Sequence, residues 1–280
     1  MADEKRTITL GHSPDPDDAF MFYALAKGMI DTGELEFQHI LQDIETLNQR
    51  ALKEELDITA VSFHAYTKIH HRYALLSCGA SFGDHYGPMV VAREALSLEE
   101  LSERKIAIPG RMTSAFLALS LVLGEFEYEE VPFDQIIERV TDGEFDAGLI
   151  IHEGQLTYAD DGLRLIIDLG VWWAEETGGL PLPLGANVIR RALGDELIQR
   201  ISGYLRQSIN LSLAHREEAV EYAMEFGRNL DLKRTDRFIG MYVNELTLDY
   251  GQRGRSAVET FLDHAAKASL IPEAIPIEFV

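Results

Sequence analysis

A histidine that follows an apolar run is the residue of this chain with the clearest potential for proton transfer. The run from Ala147 to Ile151 lies between Gly143 and Gly154, and His152 follows it directly. A run of this length between glycines predicts a buried strand rather than an amphipathic helix. Because ligands of open α/β sheets bind at the carboxyl ends of strands, we predict that His152 is a general base. The alternative is a core histidine that forms a hydrogen bond with a neighbour.

Hydroxyl side chains recur where a short apolar stretch gives way to a helix. Three segments share this plan: TITLGHSPDPDDAF, DITAVSFHAY and KIAIPGRMTSAF. The hydroxyl groups at these points belong to Ser13, Ser62, Thr113 and Ser114. Free backbone N–H groups at a helix start, together with such hydroxyls, hold an oxyanion without a basic side chain, so the segments predict an anion-binding cleft. The alternative is ordinary N-capping of the three helices.

Histidines and aspartates in the same segments raise the question of a divalent metal. The residues concerned are His12, His64 and His152, each placed just beyond a predicted strand end, and the nearby Asp15, Asp17 and Asp18. None of the histidines has the i,i+4 spacing of helical ligands, and all three come from separate loops. We therefore predict no metal and keep a metal-dependent lyase as an alternative.

Motifs for common cofactors and nucleophiles are missing from the sequence. It contains no GxGxxG after a strand, no P-loop, no HExxH and no GxSxG. The simplest expectation is chemistry without a cofactor. The adjacent Trp172 and Trp173 predict either a ring that stacks on an aromatic ligand or a split pair with one ring in the core.

Charge and composition limit the partners. The 280 residues carry 47 acidic and 25 basic side chains, a formal net charge of -22, which disfavours nucleic acid and anionic lipid surfaces. No apolar run approaches the roughly 18 residues of a membrane span, and no basic region followed by an apolar one opens the chain. Since Cys78 is the single cysteine, the expectation is a cytoplasmic protein without a membrane partner.

Strand-like and helix-like segments alternate at the spacing of βαβ units, which predicts an α/β fold with mostly parallel sheets. The predicted strands lie within Thr7–Leu10, Leu35–Ile40, Asp57–Ser62, Met89–Arg93, Lys105–Ile108, Ala147–Ile151 and Gly178–Ile189. Helical periodicity dominates from Asp195 onward. The predicted domains are a discontinuous first lobe, residues 1-91 and 188-280, and a second lobe, residues 92-187.

Six blocks, in order between about Leu10 and Ala186, carry a family resemblance: SPDPDDAFMFYAL, DIETLN, HYGPMVVA, GRMTSAFLAL, GLIIHEGQLTY and LGVWWAEETGGLPLPLGA. Together they resemble the 1,4-dihydroxy-6-naphthoate synthases of the futalosine menaquinone pathway. The resemblance implies a two-lobed fold like that of type II periplasmic binding proteins, with a ligand cleft between the lobes. It also implies a cytosolic, cofactor-free enzyme that cleaves cyclic dehypoxanthinyl futalosine to 1,4-dihydroxy-6-naphthoate and a three-carbon sugar fragment.

The resemblance also implies residue roles. His152 matches the proton acceptor of the family. The substrate-binding residues expected from the resemblance and from the helix starts are Ser62, Thr113, Ser114, Asp18, Asn48 and Ser13. The expected partner is a small-molecule carboxylate, and the sequence leaves a homodimer open.

The first loop departs from the family pattern. Family members read SPCPNDTF, whereas this chain has Asp15, Asp17 and Ala19 in place of Cys, Asn and Thr. Two added carboxylates raise the cost of binding a carboxylate there. His12 and His64 are candidates to offset that charge, and a different substrate is the other explanation.

Two alternatives share the implied fold. One is a solute-binding protein for small anions that does no chemistry, which the lack of a signal peptide disfavours. The other is the related chorismate dehydratase of the same pathway, against which the segments IIHEGQLTY and PLPLGA favour the naphthoate branch.

Overall fold

The computed structural model describes residues 5–227, 230–273 and 275–280. It contains two β-sheets flanked by helices, so the predicted α/β class is confirmed. In chain order the strands are β1 (Arg6–His12), β2 (Leu35–Leu41), β3 (Ile58–Ser62), β4 (Tyr73–Leu75), β5 (Ser81–Gly83), β6 (Met89–Ala92), β7 (Ile106–Ile108), β8 (Tyr128–Glu130), β9 (Ala147–Ile150), β10 (Arg164–Asp168) and β11 (Leu182–Arg190).

The helices are, in chain order, α1 (Pro16–Ala26), α2 (Ile44–Leu52), α3 (Phe63–Ile69), α4 (Leu98–Ser102), α5 (Ser114–Leu123), α6 (Ile136–Thr141), α7 (Leu169–Thr177), α8 (Asp195–Ala214), α9 (Arg216–Ala223), α10 (Leu232–Tyr242), α11 (Glu245–Leu248) and α12 (Gly251–Lys267). Short 3-10 helices cover Phe133–Gln135, Glu153–Leu156, Arg191–Leu193 and Met224–Phe226. Within the described ranges, no helix combines the length and the apolar character needed to cross a bilayer.

The chain divides into two compact units. The described parts of Met1–Ser81, Gly185–Gly251 and Pro276–Val280 form unit 1. Unit 2 consists of the described parts of Phe82–Leu184 and Gln252–Ile275. Each unit contains segments that are distant in sequence, whereas the prediction makes only the first lobe discontinuous.

The bounds of the units differ from those of the predicted domains, 1-91 with 188-280 and 92-187. β6 belongs to unit 2, because it pairs with β9 on one side and β10 on the other. Most of α12 also belongs to unit 2, although we predicted that the C-terminal helices return to the first lobe. There the Phe261 ring lies edge-on to Trp173 of α7, with ring centroids 5.4 Å apart, and aromatic packing of this kind holds a helix in place.

The sheet of unit 1 brings two predicted site loops to one edge. Its strand order is β2-β1-β3-β11-β4, with β5 beside β11. β1 runs parallel to β2 and β3, whereas β11 runs antiparallel to β3 and β4. Because parallel neighbours end at the same edge, Ser13 after β1 and Ser62 at the end of β3 lie at one edge of this sheet.

The sheet of unit 2 does the same for the other predicted residues. Its strand order is β10-β6-β9-β7-β8, and β7 runs parallel to both β9 and β8. The chain continues from β7 toward Thr113 and Ser114, and from β9 toward His152. These three residues therefore follow strands that end at one edge of this sheet.

Close packing of α6 on β9 positions the strand that leads to His152. All residues of β9 are buried, as predicted for this run. A Cβ atom on Gly148 would lie 2.5 Å from Cγ2 of Ile136 and 2.8 Å from Cγ2 of Val140. Glycine at this position lets α6 approach the sheet, and the two α6 side chains join the core of unit 2.

The start of α1 places aspartates at the edge of the unit 1 core. The helix begins at Pro16. The proline ring restricts the backbone φ to a helical value, and proline lacks the backbone N–H that would be unpaired in the first turn. Asp17 and Asp18 follow in the first turn, near the positive end of the helix dipole. Apolar residues of β1, α1 and α8 pack together behind them, including Ile8, Leu10, Phe20, Ile201 and Leu205.

β11 begins later than the predicted strand within Gly178–Ile189. α7 ends at Gly178 in the left-handed conformation, with φ 70° and ψ 33°. Gly179 also has a positive φ, of 106°. Both glycines therefore terminate a helix, and the strand starts at Leu182.

Candidate active site

His152 is buried directly after β9, where the sequence predicted it. The residue is 6% exposed and precedes the 3-10 helix Glu153–Leu156. Its Nε2 lies 2.9 Å from the carbonyl oxygen of Phe133, and its Nδ1 lies 3.1 Å from the backbone nitrogen of Gly154. The rings of Phe133 and His152 meet edge-on, with centroids 5.0 Å apart. The imidazole is thus held at both nitrogens and on one side of its ring.

The two contacts of the ring nitrogens assign the proton of the neutral imidazole. The carbonyl oxygen of Phe133 can only accept, so Nε2 carries the hydrogen and donates it. The N–H of Gly154 can only donate, so Nδ1 is the acceptor. Nδ1 is therefore the basic atom of His152. His152 thus forms the hydrogen bonds expected of a core histidine, and it also has the basic nitrogen that a general base needs.

Thr113 caps α5 through its side chain. Its Oγ1 accepts from the backbone N–H of Phe116 at 3.1 Å and donates to the carbonyl oxygen of Gly110 at 2.8 Å. The Oγ of Ser114 donates to the carbonyl oxygen of Leu184 at 2.6 Å. Both hydroxyl hydrogens are therefore used within the protein, so N-capping describes Thr113 and a structural bond describes Ser114.

The first turn of α5 offers amide donors instead of hydroxyl donors. The N–H of Thr113 donates to Gly110 and that of Leu117 to Thr113. Among the described residues, this leaves the N–H groups of Ser114 and Ala115 without an acceptor. Both residues are almost fully buried, at 2% and 3% exposure. N–H groups at the positive end of a ten-residue helix are suited to hold an oxyanion.

Asn48 of α2 holds Ser62 by two hydrogen bonds. The fully buried amide accepts from the backbone N–H of Ser62 at 2.9 Å and donates to its Oγ at 3.1 Å. The amide of Asn48 therefore fixes both the backbone and the hydroxyl of Ser62. Because Oγ already accepts from Asn48, its own hydrogen points to another acceptor.

Ser13 is bound by two aspartates of its own loop. Its N–H donates to Oδ2 of Asp18 at 2.7 Å, and its hydroxyl donates to Oδ2 of Asp15 at 2.5 Å. Asp18 therefore pairs with the backbone of Ser13, and Asp15, one of the two added aspartates, pairs with its hydroxyl. These two bonds tie residues 13 to 18 together.

Two carboxyl groups near Ser13, those of Asp17 and Asp18, have raised pKa values. Burial raises the pKa of Asp18 to about 7. The hydrogen bond from the N–H of Ser13 lowers this pKa, and repulsion from Asp15 raises it. Burial also raises the pKa of Asp17 well above its usual value, and the charges of Asp18 and Asp15 add to the shift. Near neutral pH the loop therefore carries less negative charge than its three aspartates suggest.

His12 pairs with a second histidine. Its Nε2 lies 3.1 Å from Nδ1 of His39, its Nδ1 lies 3.0 Å from the carbonyl oxygen of Ser13, and its ring packs on Phe22. Burial, with repulsion from His39, lowers the pKa of His12 to about 4, although the Ser13 carbonyl opposes this. His12 is neutral near pH 7, so the expectation that it offsets the charge of the first loop is wrong.

The metal alternative finds no arrangement of ligands in the described ranges. There, no group of three or more His, Cys, Asp or Glu side chains is placed to hold a metal ion. His64 lies inside α3 rather than in a loop. His12 and His64 belong to unit 1, whereas His152 belongs to unit 2.

The tryptophan pair is split between core and surface. Trp173 is fully buried, and its ring meets Phe261 at 5.4 Å and His264 at 5.2 Å between centroids. Trp172 is partly exposed beside it, with the two centroids 5.9 Å apart. Trp173 is thus a core residue, and Trp172 is the one whose ring can meet a ligand.

Several partners of the predicted residues were missed from sequence. The carbonyl of Phe133 and the amide of Gly154 orient His152, and the amide of Ala115 joins that of Ser114. Backbone groups carry no residue-type signal. His39, the partner of His12, lies on β2, a strand that the sequence did predict and that pairs with β1.

The architecture is that of periplasmic binding proteins. The alkanesulfonate-binding protein from Xanthomonas axonopodis pv. citri, solved bound to MOPS, matches with a TM-score of 0.72 over 98% of this chain and 97% of that chain. The sequences are 14% identical, so this likeness concerns the fold alone. The predicted binding-protein-like fold is confirmed.

Closer matches define the family. A model described as menaquinone biosynthesis matches residues 8–267. A 1,4-dihydroxy-6-naphthoate synthase from Thermus thermophilus is 41% identical over 271 residues, or 96% of this chain and 98% of that protein. A crystal structure of a protein from Archaeoglobus fulgidus is 47% identical, with a TM-score of 0.91 over 95% of this chain and 98% of that chain. The chain belongs to the menaquinone biosynthesis family of enzymes.

Proposed function

We propose that this chain is a 1,4-dihydroxy-6-naphthoate synthase, a carbon-carbon lyase that acts on cyclic dehypoxanthinyl futalosine without a cofactor. Its family and the name of its Thermus relative support this activity. The observation that carries the chemistry is the buried imidazole of His152, in which Nε2 is anchored to Phe133 and Nδ1 is basic. The second product is a three-carbon sugar fragment.

The proposed chemical step is proton removal at Nδ1 of His152. The neutral imidazole accepts a substrate proton, and the bond to the sugar fragment breaks as the aromatic product forms. The substrate carboxylate needs N–H donors that are already in place. The N–H groups of Ser114 and Ala115 at the start of α5 are suited to that role, because they are buried and fixed by the helix.

The other residues that we propose to bind substrate are Ser62, Asn48, Asp18 and Ser13. The hydroxyl of Ser62, oriented by Asn48, donates to a substrate oxygen. Asp18, with a pKa of about 7, is present in part as a neutral acid near neutral pH and can donate as well. Ser13 keeps the loop of Asp18 in place. A small-molecule carboxylate as partner is supported by the N–H groups at the start of α5. A cytoplasmic location, supported by the single cysteine, completes the proposal.

The direct test is to incubate the purified protein with cyclic dehypoxanthinyl futalosine and to follow 1,4-dihydroxy-6-naphthoate by chromatography, with and without a chelator. We expect product in both samples. His152→Gln should lower kcat by about a hundredfold or more, the range in which a general base contributes, with KM within about threefold. His71→Gln, an exposed histidine, is the matched control. Absence of product from the unaltered protein would reject the proposed substrate, and full activity of His152→Gln would reject the base.

A further inference from the structure

A buried carboxylate lies beside the basic nitrogen of His152. Oε2 of Glu153 is 3.5 Å from Nδ1 of His152, and the two side chains are 4% and 8% exposed. Glu153 opens the 3-10 helix that follows His152, so its backbone is fixed by that turn. A carboxylate in such a position interacts with the imidazole far more strongly than an exposed one.

Protonation of His152 requires a change of partner at Nδ1. In the neutral ring, Nδ1 accepts from the N–H of Gly154 at 3.1 Å. Once Nδ1 carries a proton it is a donor, and the amide N–H can no longer donate to it. The carboxylate of Glu153 can accept that hydrogen after a small side-chain movement.

We propose that Glu153 is a positioning residue, which takes the hydrogen bond of Nδ1 when His152 is protonated and so stabilises the imidazolium formed in the reaction. This rests on the proposed function, in which His152 is the base. The proton moves from the substrate to Nδ1, while Nε2 keeps its own hydrogen on the carbonyl oxygen of Phe133. Glu153 gains a hydrogen bond from Nδ1, but no covalent bond of Glu153 forms or breaks.

Other charged groups stand on the elements next to this turn. Asp134 belongs to the 3-10 helix that contains Phe133, and Glu138 and Arg139 belong to α6. Arg139 is engaged by Glu144 at 3.1 Å and by Gln135. Tyr158 follows the turn and is partly buried. Asp134 and Glu138 are both exposed, so solvent screens them more than Glu153, and Glu138→Gln is the matched control for loss of a nearby carboxylate.

The experiment has one readout that needs no substrate. The ring Cε1–H of His152 is followed by NMR across pH in the unaltered protein, with its signal assigned by its loss in His152→Gln. An anion next to an imidazole favours the protonated form, so Glu153→Gln should lower the titration midpoint of His152 by about one pH unit or more. Glu153→Asp should restore part of the shift, and Glu138→Gln should leave the midpoint unchanged.

The second readout is the pH dependence of kcat/KM for naphthoate formation. The base must be deprotonated, so a lower pKa of His152 in Glu153→Gln moves the acid limb to lower pH. A weaker base also lowers kcat, by about tenfold or more within the contribution of a general base, with KM within about threefold.

The outcomes separate the two proposals. If the unaltered protein forms no naphthoate but the His152 midpoint still shifts in Glu153→Gln, the proposed substrate is contradicted. The proposed interaction of Glu153 with His152 is then still supported. If the unaltered protein is active and Glu153→Gln leaves both the titration midpoint of His152 and the acid limb of kcat/KM unchanged, the role of Glu153 is overturned. This holds whatever the change in kcat. If Glu153→Gln does not fold, Glu153→Asp is measured by the same two readouts. Because its shorter side chain moves the carboxylate, both the titration midpoint and the acid limb should shift in the same direction by a smaller amount.

Discussion

Two backbone N–H groups near the candidate site residues are paired with buried side chains. Asn48 satisfies the N–H of Ser62, and Asp18 satisfies the N–H of Ser13. An unpaired buried N–H costs about 1–3 kcal/mol, so each pair stabilises its loop. These pairs therefore position Ser62 and Asp18, whose side chains we propose to bind substrate.

Asp18 should make the stability of the protein depend on pH. Its pKa is about 7 in the folded protein and near the usual 3.8 in the unfolded chain, so the folded state binds more protons between these values. The stability from Asp18 is therefore fully present below about pH 4 and is lost as the pH rises through about 7. Asp18→Asn keeps an acceptor for Ser13 and removes the charge.

We expect Asp18→Asn to match the unaltered protein at pH 4 and to be more stable at pH 8, by up to about 4 kcal/mol for a shift of this size. Chemical denaturation at several pH values measures the difference. Asp161→Asn removes an exposed carboxylate of unit 2 and should show no such dependence. A stability difference that stays constant from pH 4 to pH 8 would contradict the shifted titration of Asp18.

Residue types were predictable at this scale, but their partners were not. His152 was identifiable because a buried strand ends just before it. Which of its nitrogens is basic depends on the carbonyl of Phe133, 19 residues away, and a sequence carries no signal for such a contact. The neutral state of His12 likewise comes from burial and from His39, both consequences of tertiary packing.

At the scale of elements, the cap of α5 connects stability to substrate binding. Thr113→Ala removes the acceptor for the N–H of Phe116, which should cost about 1 kcal/mol of unfolding free energy. It should also raise KM severalfold, because the first turn that carries the N–H groups of Ser114 and Ala115 loses its fixed position. Thr113→Ser should restore both quantities.

The control for this prediction is a cap elsewhere in unit 2. Ser97 caps α4 in a capping box with Glu100, so Ser97→Ala should lower stability to a similar degree without changing KM. Steady-state kinetics and denaturant titration give both values. A fall in kcat alone for Thr113→Ala would instead show that the start of α5 acts on charge formed during the reaction.

Strand and helix types were largely predictable because local pattern determines them. The alternation of apolar runs and helix starts predicted β1, β3, β7 and β9 to within a few residues. The boundary of β11 was missed because Gly178 and Gly179 end α7, and glycine-rich sequence fits either a turn or the start of a strand. Assignment of α12 to unit 2 depends on the contact of Phe261 with Trp173, which is a tertiary contact.

At the scale of the whole molecule, like charge opposes the folded state. The net charge at pH 7 is -22, and folding brings the excess acidic side chains close enough to repel one another. Exposed ion pairs work in the opposite direction, such as the two bonds of 2.7 Å between Arg253 and Asp84. Exposed pairs contribute about 0–1 kcal/mol each, so we expect the repulsion to dominate.

Added salt should therefore stabilise the protein at neutral pH. The screening length falls from about 30 Å at 0.01 M salt to about 8 Å at 0.15 M, which weakens distant repulsion more than contacts within an ion pair. We expect Tm at pH 7.5 to rise between these concentrations of potassium chloride, by about 2–4 °C for each kcal/mol gained. Near the isoelectric point of about 4.7 the rise should be much smaller. A fall in Tm with salt at pH 7.5 would show instead that ion pairs such as Arg253 with Asp84 outweigh the net charge.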